Sequence, residues 1–146
     1  WQNRAMKLST SELPEVPFST MHDVHLQEVA MINDIYDLII EIEEGKHKRP
    51  VLSEQLDALL SHTRVHFSDE EQLMQKAHFP PYIMHKQAHD QFLAELEEVV
   101  ADWNREQAIG PVDQFMRFRL PRWMKEHISS MDYVTAGFLS TQAPQP

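Results

Sequence analysis

Histidine and acidic residues of this chain recur at helical spacing within apolar stripes. His66 and Glu70 are four residues apart, and they continue a series of leucines, Leu52, Leu56 and Leu59, at steps of three and four. On an α-helix these residues share one face, so an imidazole and a carboxylate occupy positions that normally belong to the core. A buried carboxylate without a partner is costly, and a metal ion shared with a nearby imidazole removes that cost. The stretch therefore predicts a metal site inside a helical fold.

The same arrangement recurs on three further segments. His85 and His89 are four residues apart, His127 is followed by Asp132 five residues later, and His25 heads another apolar stripe. The alternative is a helical bundle with incidental core histidines, which is disfavoured because buried ionisable groups are rare without partners. The predicted inward set is His25, His66, Glu70, His85, His89, His127 and Asp132.

The number and type of these ligands indicate two iron ions rather than one zinc ion. Seven protein ligands are too many for a catalytic zinc, which takes about three or four. They suit two octahedral ions that share both carboxylates as bridges, and the dominance of imidazole favours iron over magnesium or calcium. The chain has no cysteine, which excludes disulfides, thiolate-held iron–sulfur clusters and cysteine nucleophiles.

Length and charge limit the class of protein further. At 146 residues, 42% of them hydrophobic, the chain is predicted to form one globular domain. Its net charge of −10 argues against binding to a phosphate backbone, so no nucleic-acid partner is expected. No apolar run approaches the roughly 20 residues of a membrane span, so no membrane insertion is expected and a cytoplasmic location is predicted.

The elements that must position these ligands are predicted to be four helices in an all-α, up-down-up-down bundle. Gly45, Pro50, the pair Pro80 and Pro81, and the pair Gly110 and Pro111 mark the boundaries between the helices. The predicted organisation is an N-terminal arm over residues 1–18, a bundle over 19–139 and a linker-like tail over 140–146.

Two positions in the fourth helix conflict with an ideal α-helix. Pro121 lies about ten residues into the helix and removes a hydrogen bond to the carbonyl of Arg117, so we expect a kink or a wide turn near 117–121, or else a break. Asp132 follows His127 by five residues, a spacing that points the two side chains to different faces. A π-type turn or the helix end must therefore rotate Asp132 inward.

The ordered motifs resemble those of the hemerythrin family, and in particular its bacterial branch. The resemblance covers about residues 18–139, with all seven ligand positions filled. It rests on four elements in order along the chain: His25 with Asn33 eight residues later, His66-Phe67-x-x-Glu70-Glu71-x-x-Met74, His85-x-x-x-His89, and Trp123-x-x-x-His127-Ile128-x-x-x-Asp132.

The resemblance implies a role for each ligand. His85, His89 and His127 would bind the coordinatively saturated iron, and His25 and His66 the second iron. Glu70 and Asp132 would bridge the two irons together with an oxo or hydroxo group. Dioxygen would then bind end-on at the open site of the second iron and be reduced to hydroperoxide.

Three polar residues depart from the family pattern near the predicted site. Glu28 lies one turn after His25, where the family usually has a bulky apolar residue. It is a candidate residue of the pocket, as an extra ligand, a proton donor or a side chain that reaches solvent, and a rim side chain is favoured over a ligand. His22 and His62 are expected to take hydrogen-bonded roles beside the ligands or to lie at the surface. Phe67 and Trp123 are predicted to help wall the oxygen pocket.

The predicted function is that of a non-haem di-iron domain that binds dioxygen and senses oxygen or redox state. A polar Glu28 beside the open iron should hasten loss of the bound oxygen species, which suits a switch better than a store. The alternatives are oxygen storage or delivery, and a di-iron oxidase or peroxidase. As a sensor the chain would not itself be an enzyme, and a C-terminal signalling output domain is the expected partner.

Overall fold

The computed structural model describes Leu8 and residues 15–142, and these residues form four helical rods with no strand among them. The first three rods are α1 (Ser19–Glu43), α2 (Arg49–Lys76) and α3 (Tyr82–Glu106). The fourth rod consists of α4 (Ile109–Gln114), a π segment (Phe115–Arg119), α5 (Leu120–His127), a second π segment (Ile128–Asp132) and α6 (Tyr133–Gln142). Short connections between consecutive rods give the antiparallel four-helix bundle that the sequence predicts.

Loop residues with special backbone angles end the first two helices. Gly45 follows α1 with φ of 90°, a conformation that glycine adopts without a steric cost. His78 follows α2 with φ of 55°, which is unusual for a residue with a side chain. Pro50 lies in the first turn of α2, where its missing N–H has no helical partner to lose.

The fourth rod accommodates Pro121 by widening rather than by breaking. The π segment (Phe115–Arg119) precedes α5, and Pro121 occupies the first turn of α5. Gln114, Arg119 and Leu120 all have right-handed helical angles, so the rod continues through the junction. The wide turn expected near 117–121 is therefore present, and the alternative of a break at Pro121 is wrong. An i→i+5 segment shifts the hydrogen-bond pattern at the position where proline cannot donate.

The apolar core fills the bundle on the side of the ligands that is nearer to the loop between α1 and α2. Ile35, Leu52, Leu56 and Leu96 are at most 1% exposed, and burial of each stabilises the fold by about 1.5–3 kcal/mol. The indole N–H of Trp103 donates a hydrogen bond to the hydroxyl oxygen of Ser53 at 2.9 Å, which satisfies the one polar group of this fully buried side chain.

The arm and the tail extend the bundle in different ways. Leu8 and Val16 are buried against the bundle, and the side chain of Asn33 exchanges two hydrogen bonds with the backbone of Leu8. At the other end, α6 continues to Gln142, so residues 140–142 of the predicted tail are helical. Residues 1–7, 9–14 and 143–146 lie outside the described residues. Within the described part of the chain, no helix is both long and apolar enough to cross a membrane.

Candidate metal centre

All seven predicted ligands lie together in the interior. None is more than 7% exposed, and their nitrogen and oxygen atoms form two groups, within each of which the atoms lie within 4.8 Å of one another. Glu70 belongs to both groups. The larger group consists of Glu70, His85, His89, His127 and Asp132, and the smaller one of His25, His66 and Glu70.

The carboxylate of Asp132 faces both groups of histidines. Its Oδ1 atom lies 3.0 Å from Nε2 of His85 and 3.0 Å from Nε2 of His127. Its Oδ2 atom lies 3.1 Å from Nε2 of His25, which belongs to the smaller group. The two oxygens of one carboxylate are thus divided between two clusters of imidazole, as a bridging ligand requires.

The carboxylate of Glu70 is divided in the same way. Its Oε2 atom lies 2.6 Å from Nε2 of His66, while its Oε1 atom lies 3.3 Å from Nε2 of His89 and 3.6 Å from Nε2 of His85. Both carboxylates therefore present one oxygen atom to each histidine group. Two ions bridged by two carboxylates would satisfy this arrangement.

The ligand atoms converge without satisfying one another. Nε2 of His85 and Nε2 of His127 face each other at 3.1 Å, and both also face Oδ1 of Asp132 at 3.0 Å, so three ligand atoms crowd around one point. Oε1 of Glu70, Nε2 of His89 and Oδ1 of Asp132 are buried and make no hydrogen bond to the described residues. Buried polar atoms are nearly always paired, so this clustering of unpaired atoms fits groups that bind metal ions.

The second π segment (Ile128–Asp132) resolves the spacing of His127 and Asp132. Its wider i→i+5 turn brings residues five apart to the same side of the rod, and both side chains are buried in the centre. The π-type turn expected from the spacing is therefore present. Without it, an α-helical Asp132 would point away from the other ligands.

Three of the histidines have a polar partner behind the ring. Oε1 of Glu28 lies 2.5 Å from Nδ1 of His66, and Oε2 of Glu71 lies 3.0 Å from Nδ1 of His89. Such partners fix the ring and the tautomer so that Nε2 is free to bind a metal. They also raise the basicity of the ligand nitrogen. Glu28 and Glu71 therefore act on the site through the histidines they contact.

The third partner is Thr135, whose hydroxyl oxygen lies 2.7 Å from Nδ1 of His85. Neither Thr135 nor Glu71 was among the residues predicted from the sequence. Thr135 lies three residues after Asp132 in α6 and is completely buried. The sequence does show a polar residue, Thr135, one turn after the predicted ligand Asp132. The contact that gives Thr135 its role is with His85 on another helix, and the sequence does not show that contact.

Glu28 is an interior residue, so the expectation of a rim or solvent-reaching side chain is wrong. Its side chain is 9% exposed, and the ion pair with His66 offsets the cost of burying the carboxylate. Its oxygens are not part of either group of ligand atoms. The carboxylate lies behind an imidazole rather than at the position of a ligand.

His22 and His62 are half-buried and also lie outside both ligand groups. The ring of His62 is 6.3 Å from the ring of His66, measured between centroids. Nδ1 of His22 and Nε2 of His62 are buried and form no hydrogen bond with any described residue. The hydrogen-bonded role predicted for these residues is therefore not observed at those two atoms.

The electrostatics of the site favour ionised carboxylates. Burial alone would raise the pKa of Asp132, but contacts with His127, His25 and His85 hold it well below its ordinary value. Burial and the charge of Asp132 oppose ionisation of Glu70, yet the contact with His66 lowers its pKa. Both residues are thus in the charged form that binds metal ions.

Two histidines of the site are shifted in opposite directions. Burial lowers the pKa of His85, which favours the neutral imidazole that ligates metals. Burial would also lower the pKa of His66, but the carboxylates of Glu28 and Glu70 raise it well above its ordinary value. The two carboxylates beside His66 therefore favour a positive charge at this ring.

A small cavity adjoins the smaller ligand group. It measures about 10 Å³, close to the space that one water-sized molecule occupies. Phe67 and Trp123, which the sequence places at the oxygen pocket, form part of its wall together with Met124 and Ile128. The ring of Phe67 stacks on His89 at 3.9 Å, so the aromatic wall also holds a ligand in place.

The fold and the site define a class of protein, a helical bundle built around a dinuclear metal centre with imidazole and carboxylate ligands. The family model described as the hemerythrin HHE cation binding domain matches residues 16–139. The chain belongs to the hemerythrin family, whose members are oxygen-binding proteins with a non-haem di-iron centre. The predictions of family, fold, iron cofactor and dioxygen ligand are confirmed.

Individual relatives agree with this assignment. The chain is 29% identical to a bacteriohemerythrin of Aquifex aeolicus (strain VF5) over 131 residues, which cover 90% of this chain and 96% of the relative. It is 33% identical to a myohemerythrin of Sipunculus nudus over 118 residues, which cover 73% of this chain and 91% of the relative. A crystal structure of wild-type hemerythrin superposes with a TM-score of 0.76 at 24% identity, covering 92% and 97% of the two chains, which supports the fold.

Proposed function

We propose that this chain is an oxygen- or redox-sensing domain in which dioxygen binds at the iron held by His25 and His66. The saturated iron would be held by His85, His89 and His127, with Glu70 and Asp132 as bridges. The division of each carboxylate between the two histidine groups supports the bridging roles. It is the observation on which the ligand assignment depends.

The position of the cavity supports dioxygen binding at the second iron. Both histidines of the smaller group line the cavity, whereas His127 is the one member of the trio His85, His89 and His127 that does so. The smaller group also offers one imidazole fewer, which leaves a coordination position for a small ligand. Apolar side chains of Phe67, Met124 and Ile128 complete the wall of this small cavity.

Glu28 supports sensing over storage. Its carboxylate lines the same cavity and contacts the ring of His66. A carboxylate beside the dioxygen site repels an anionic oxygen species and offers a route for proton transfer to it, so the oxygenated state should be short-lived. A store needs reversible release of dioxygen, while a switch needs a change of oxidation state. A short lifetime therefore favours the switch.

The test is the lifetime of the oxygenated form, followed by visible absorption after the reduced protein is mixed with dioxygen. Glu28→Leu should lengthen that lifetime, and Glu28→Gln, which keeps the shape but removes the charge, should lengthen it less. Glu71→Gln is the matched control, because Glu71 contacts His89 and does not line the cavity. An unchanged lifetime in iron-replete Glu28→Leu would overturn the sensing proposal.

The other functions predict different results in the same experiment. A stable, reversible oxygenated form of the native chain would indicate storage or delivery. Sustained consumption of peroxide or of an organic reductant would indicate an oxidase or peroxidase, contrary to our proposal of a domain that binds dioxygen without turnover. Metal analysis should give two irons per chain, and a value near one would contradict the bridged centre.

We further propose that a signalling output domain receives the state of this centre in a cytoplasmic protein. Asp132 and Thr135 belong to the same rod as the end of α6, so a change at the metal can pass along one helix. Amide hydrogen exchange over residues 133–142 should differ between the reduced and the oxidised forms. Equal exchange in both forms would argue against signal transmission through α6.

A further inference from the structure

Trp123 connects the metal centre to the protein surface. Its ring stacks on His127 with centroids 4.4 Å apart and an interplanar angle of 11°, and on Phe92 with centroids 4.0 Å apart. Trp123 is half-buried, whereas His127 is 6% exposed. Electron tunnelling weakens steeply with distance and is favoured by ring contact. The indole is therefore a short route between a proposed iron ligand and solvent.

The surface around Trp123 carries an unusual charge for this protein. Four of the 13 Lys and Arg residues fall within positions 117–125, whereas α1 contains six acidic residues and no Lys or Arg. We call Phe118, Arg119, Arg122 and Lys125 the cationic face, all four of which are exposed. Arg119 lies four residues before Trp123, and Arg122 lies immediately before it.

The cationic face has the shape and composition of a docking surface. Two open depressions of about 430 and 380 Å³ meet at Phe118, which is 47% exposed, and at Arg122, which lines both. Arg119 donates two hydrogen bonds to Glu95 of α3, so its guanidinium is held in place. Glu95 offsets the charge of Arg119, and Glu126 also lines the second depression, so the positive charge of this face rests mainly on Arg122 and Lys125. In a chain with a net charge of −10, a face with any excess of positive charge favours an acidic partner.

We propose that the cationic face docks an acidic one-electron carrier protein and that electrons pass from the carrier through Trp123 and His127 to the metal centre. The inference rests on the proposed function, because a sensor that has reacted with oxygen must be reset. Each carrier molecule would lose one electron, and two encounters would convert two ferric ions to two ferrous ions. Protons from solvent compensate the added charge. Contacts of this kind are small and transient, which suits an exposed, partly charged face.

The experiment uses the diferric protein and two donors of opposite charge: a reduced plant-type ferredoxin, which is an acidic one-electron protein, and the methyl viologen radical cation. Reduction is followed by stopped-flow absorbance at low and high salt, and binding of labelled ferredoxin by fluorescence anisotropy. Arg122→Glu should slow reduction by ferredoxin about tenfold or more at low salt and weaken its binding. High salt should reduce the difference, and reduction by methyl viologen should not slow.

Trp123→Phe should slow reduction by both donors several-fold without weakening ferredoxin binding, because it alters the route rather than the docking surface. Arg64→Glu is the matched control for charge, since Arg64 is an exposed arginine that lines neither depression. Trp103→Phe is the matched control for loss of an indole, because Trp103 stacks on none of the proposed ligands. Both controls should leave the two reduction rates unchanged.

Several outcomes would overturn the inference. If the rate at which ferredoxin reduces the diferric protein changes neither with salt nor with Arg122→Glu, the docking surface is rejected. If Trp123→Phe leaves the reduction rates unchanged, the route through Trp123 is rejected. A concentration-dependent dimer that Arg122→Glu dissolves would show instead that a second copy of this chain covers the face. Iron content and the spectrum after oxygenation are measured first in every variant. A native chain without two irons contradicts the proposed function, whereas iron-replete variants that are insensitive to these changes contradict this inference alone.

Discussion

Nδ1 of His85 lies 2.7 Å from the hydroxyl oxygen of Thr135, fifty residues further along the chain. The hydroxyl group in turn donates towards the sulfur of Met74 at 4.0 Å, so its oxygen accepts from the imidazole N–H. This contact fixes the tautomer in which Nε2 of His85 faces Asp132 and the metal. A threonine of α6 thereby orients a ligand of α3.

Thr135→Val should weaken iron binding by about 10- to 100-fold, because the isosteric side chain leaves the His85 N–H buried without an acceptor. Competition with an iron chelator measures the affinity. Thr63→Val is the control, since the buried hydroxyl of Thr63 bonds only to the carbonyl of Leu59 in its own helix. Equal affinities for the two variants would show that Thr135 does not orient the ligand.

Deletion of Ser129 should leave a helical protein that still binds two irons. The second π segment acts as a one-residue insertion, so removing an exposed residue inside it restores an α-helix while Asp132 and Thr135 keep their faces. Circular dichroism and metal analysis report the two properties. Retained helix with lost iron would indicate that the wide turn itself, rather than the facing of Asp132, is needed for the site.

The iron-free protein should lose stability as the pH rises above neutrality. The pKa of His66 is raised well above 6.5 in the folded state, so its ion pairs stabilise the fold fully below 6.5 and lose that effect as the pH passes the folded pKa. Urea unfolding of the iron-free chain across this pH range measures the change. Glu28→Gln removes one of the two carboxylates that raise this pKa and should flatten the dependence.

Asp132 causes a second pH effect of opposite sign, which lowers the stability of the iron-free protein in acid. The folded-state pKa of Asp132 lies well below 3.8, so its contribution is present above 3.8 and is lost as the pH falls towards the folded value. The iron-free protein should therefore be most stable between these two ranges. A stability that is constant between pH 6 and 9 would contradict the pairing of His66 with Glu28 and Glu70.

Leu56→Ala should destabilise the fold by about 2–5 kcal/mol, because the leucine is completely buried and the surrounding helices cannot close the cavity. Val65→Ala on the same helix is the control, since Val65 is 60% exposed, and its effect should stay within about 0.5 kcal/mol. Chemical denaturation of the iron-bound proteins gives both values. Comparable losses in the two variants would contradict the assignment of the core.

Six of the seven proposed ligands were predictable because each occupies an apolar stripe whose period can be read within one helix, whereas Asp132 was supported by the resemblance to the hemerythrin family. His66 and Glu70 illustrate this, since their spacing alone places them on the same inward face. The turn around Asp132 was also predictable, because a spacing of five residues conflicts with an α-helix and one local change corrects it. Information within a single segment was sufficient for both.

The partners behind the histidine rings were not predictable in the same way. Glu28, Glu71 and Thr135 take their roles from an imidazole on another helix, so the relative rotation and height of two rods decide the contact. Without that information, Glu28 was expected at the rim of the site, although it is buried beside His66. A lone glutamate on a helix face is normally exposed, and only the imidazole of His66 across the bundle makes its burial favourable.

The side chain of Asn33 holds the N-terminal arm at Leu8 through hydrogen bonds, in addition to the burial of Leu8 and Val16. The amide group of Asn33 accepts a hydrogen bond from the N–H of Leu8 at 3.1 Å and donates one to its carbonyl oxygen at 2.7 Å. These two hydrogen bonds resemble those between paired β-strands, and at position 8 they involve only backbone atoms. A shortened chain that starts after Leu8 would leave the Asn33 amide without its two partners and would expose core side chains that Leu8 now helps to cover, so such a chain should aggregate more readily.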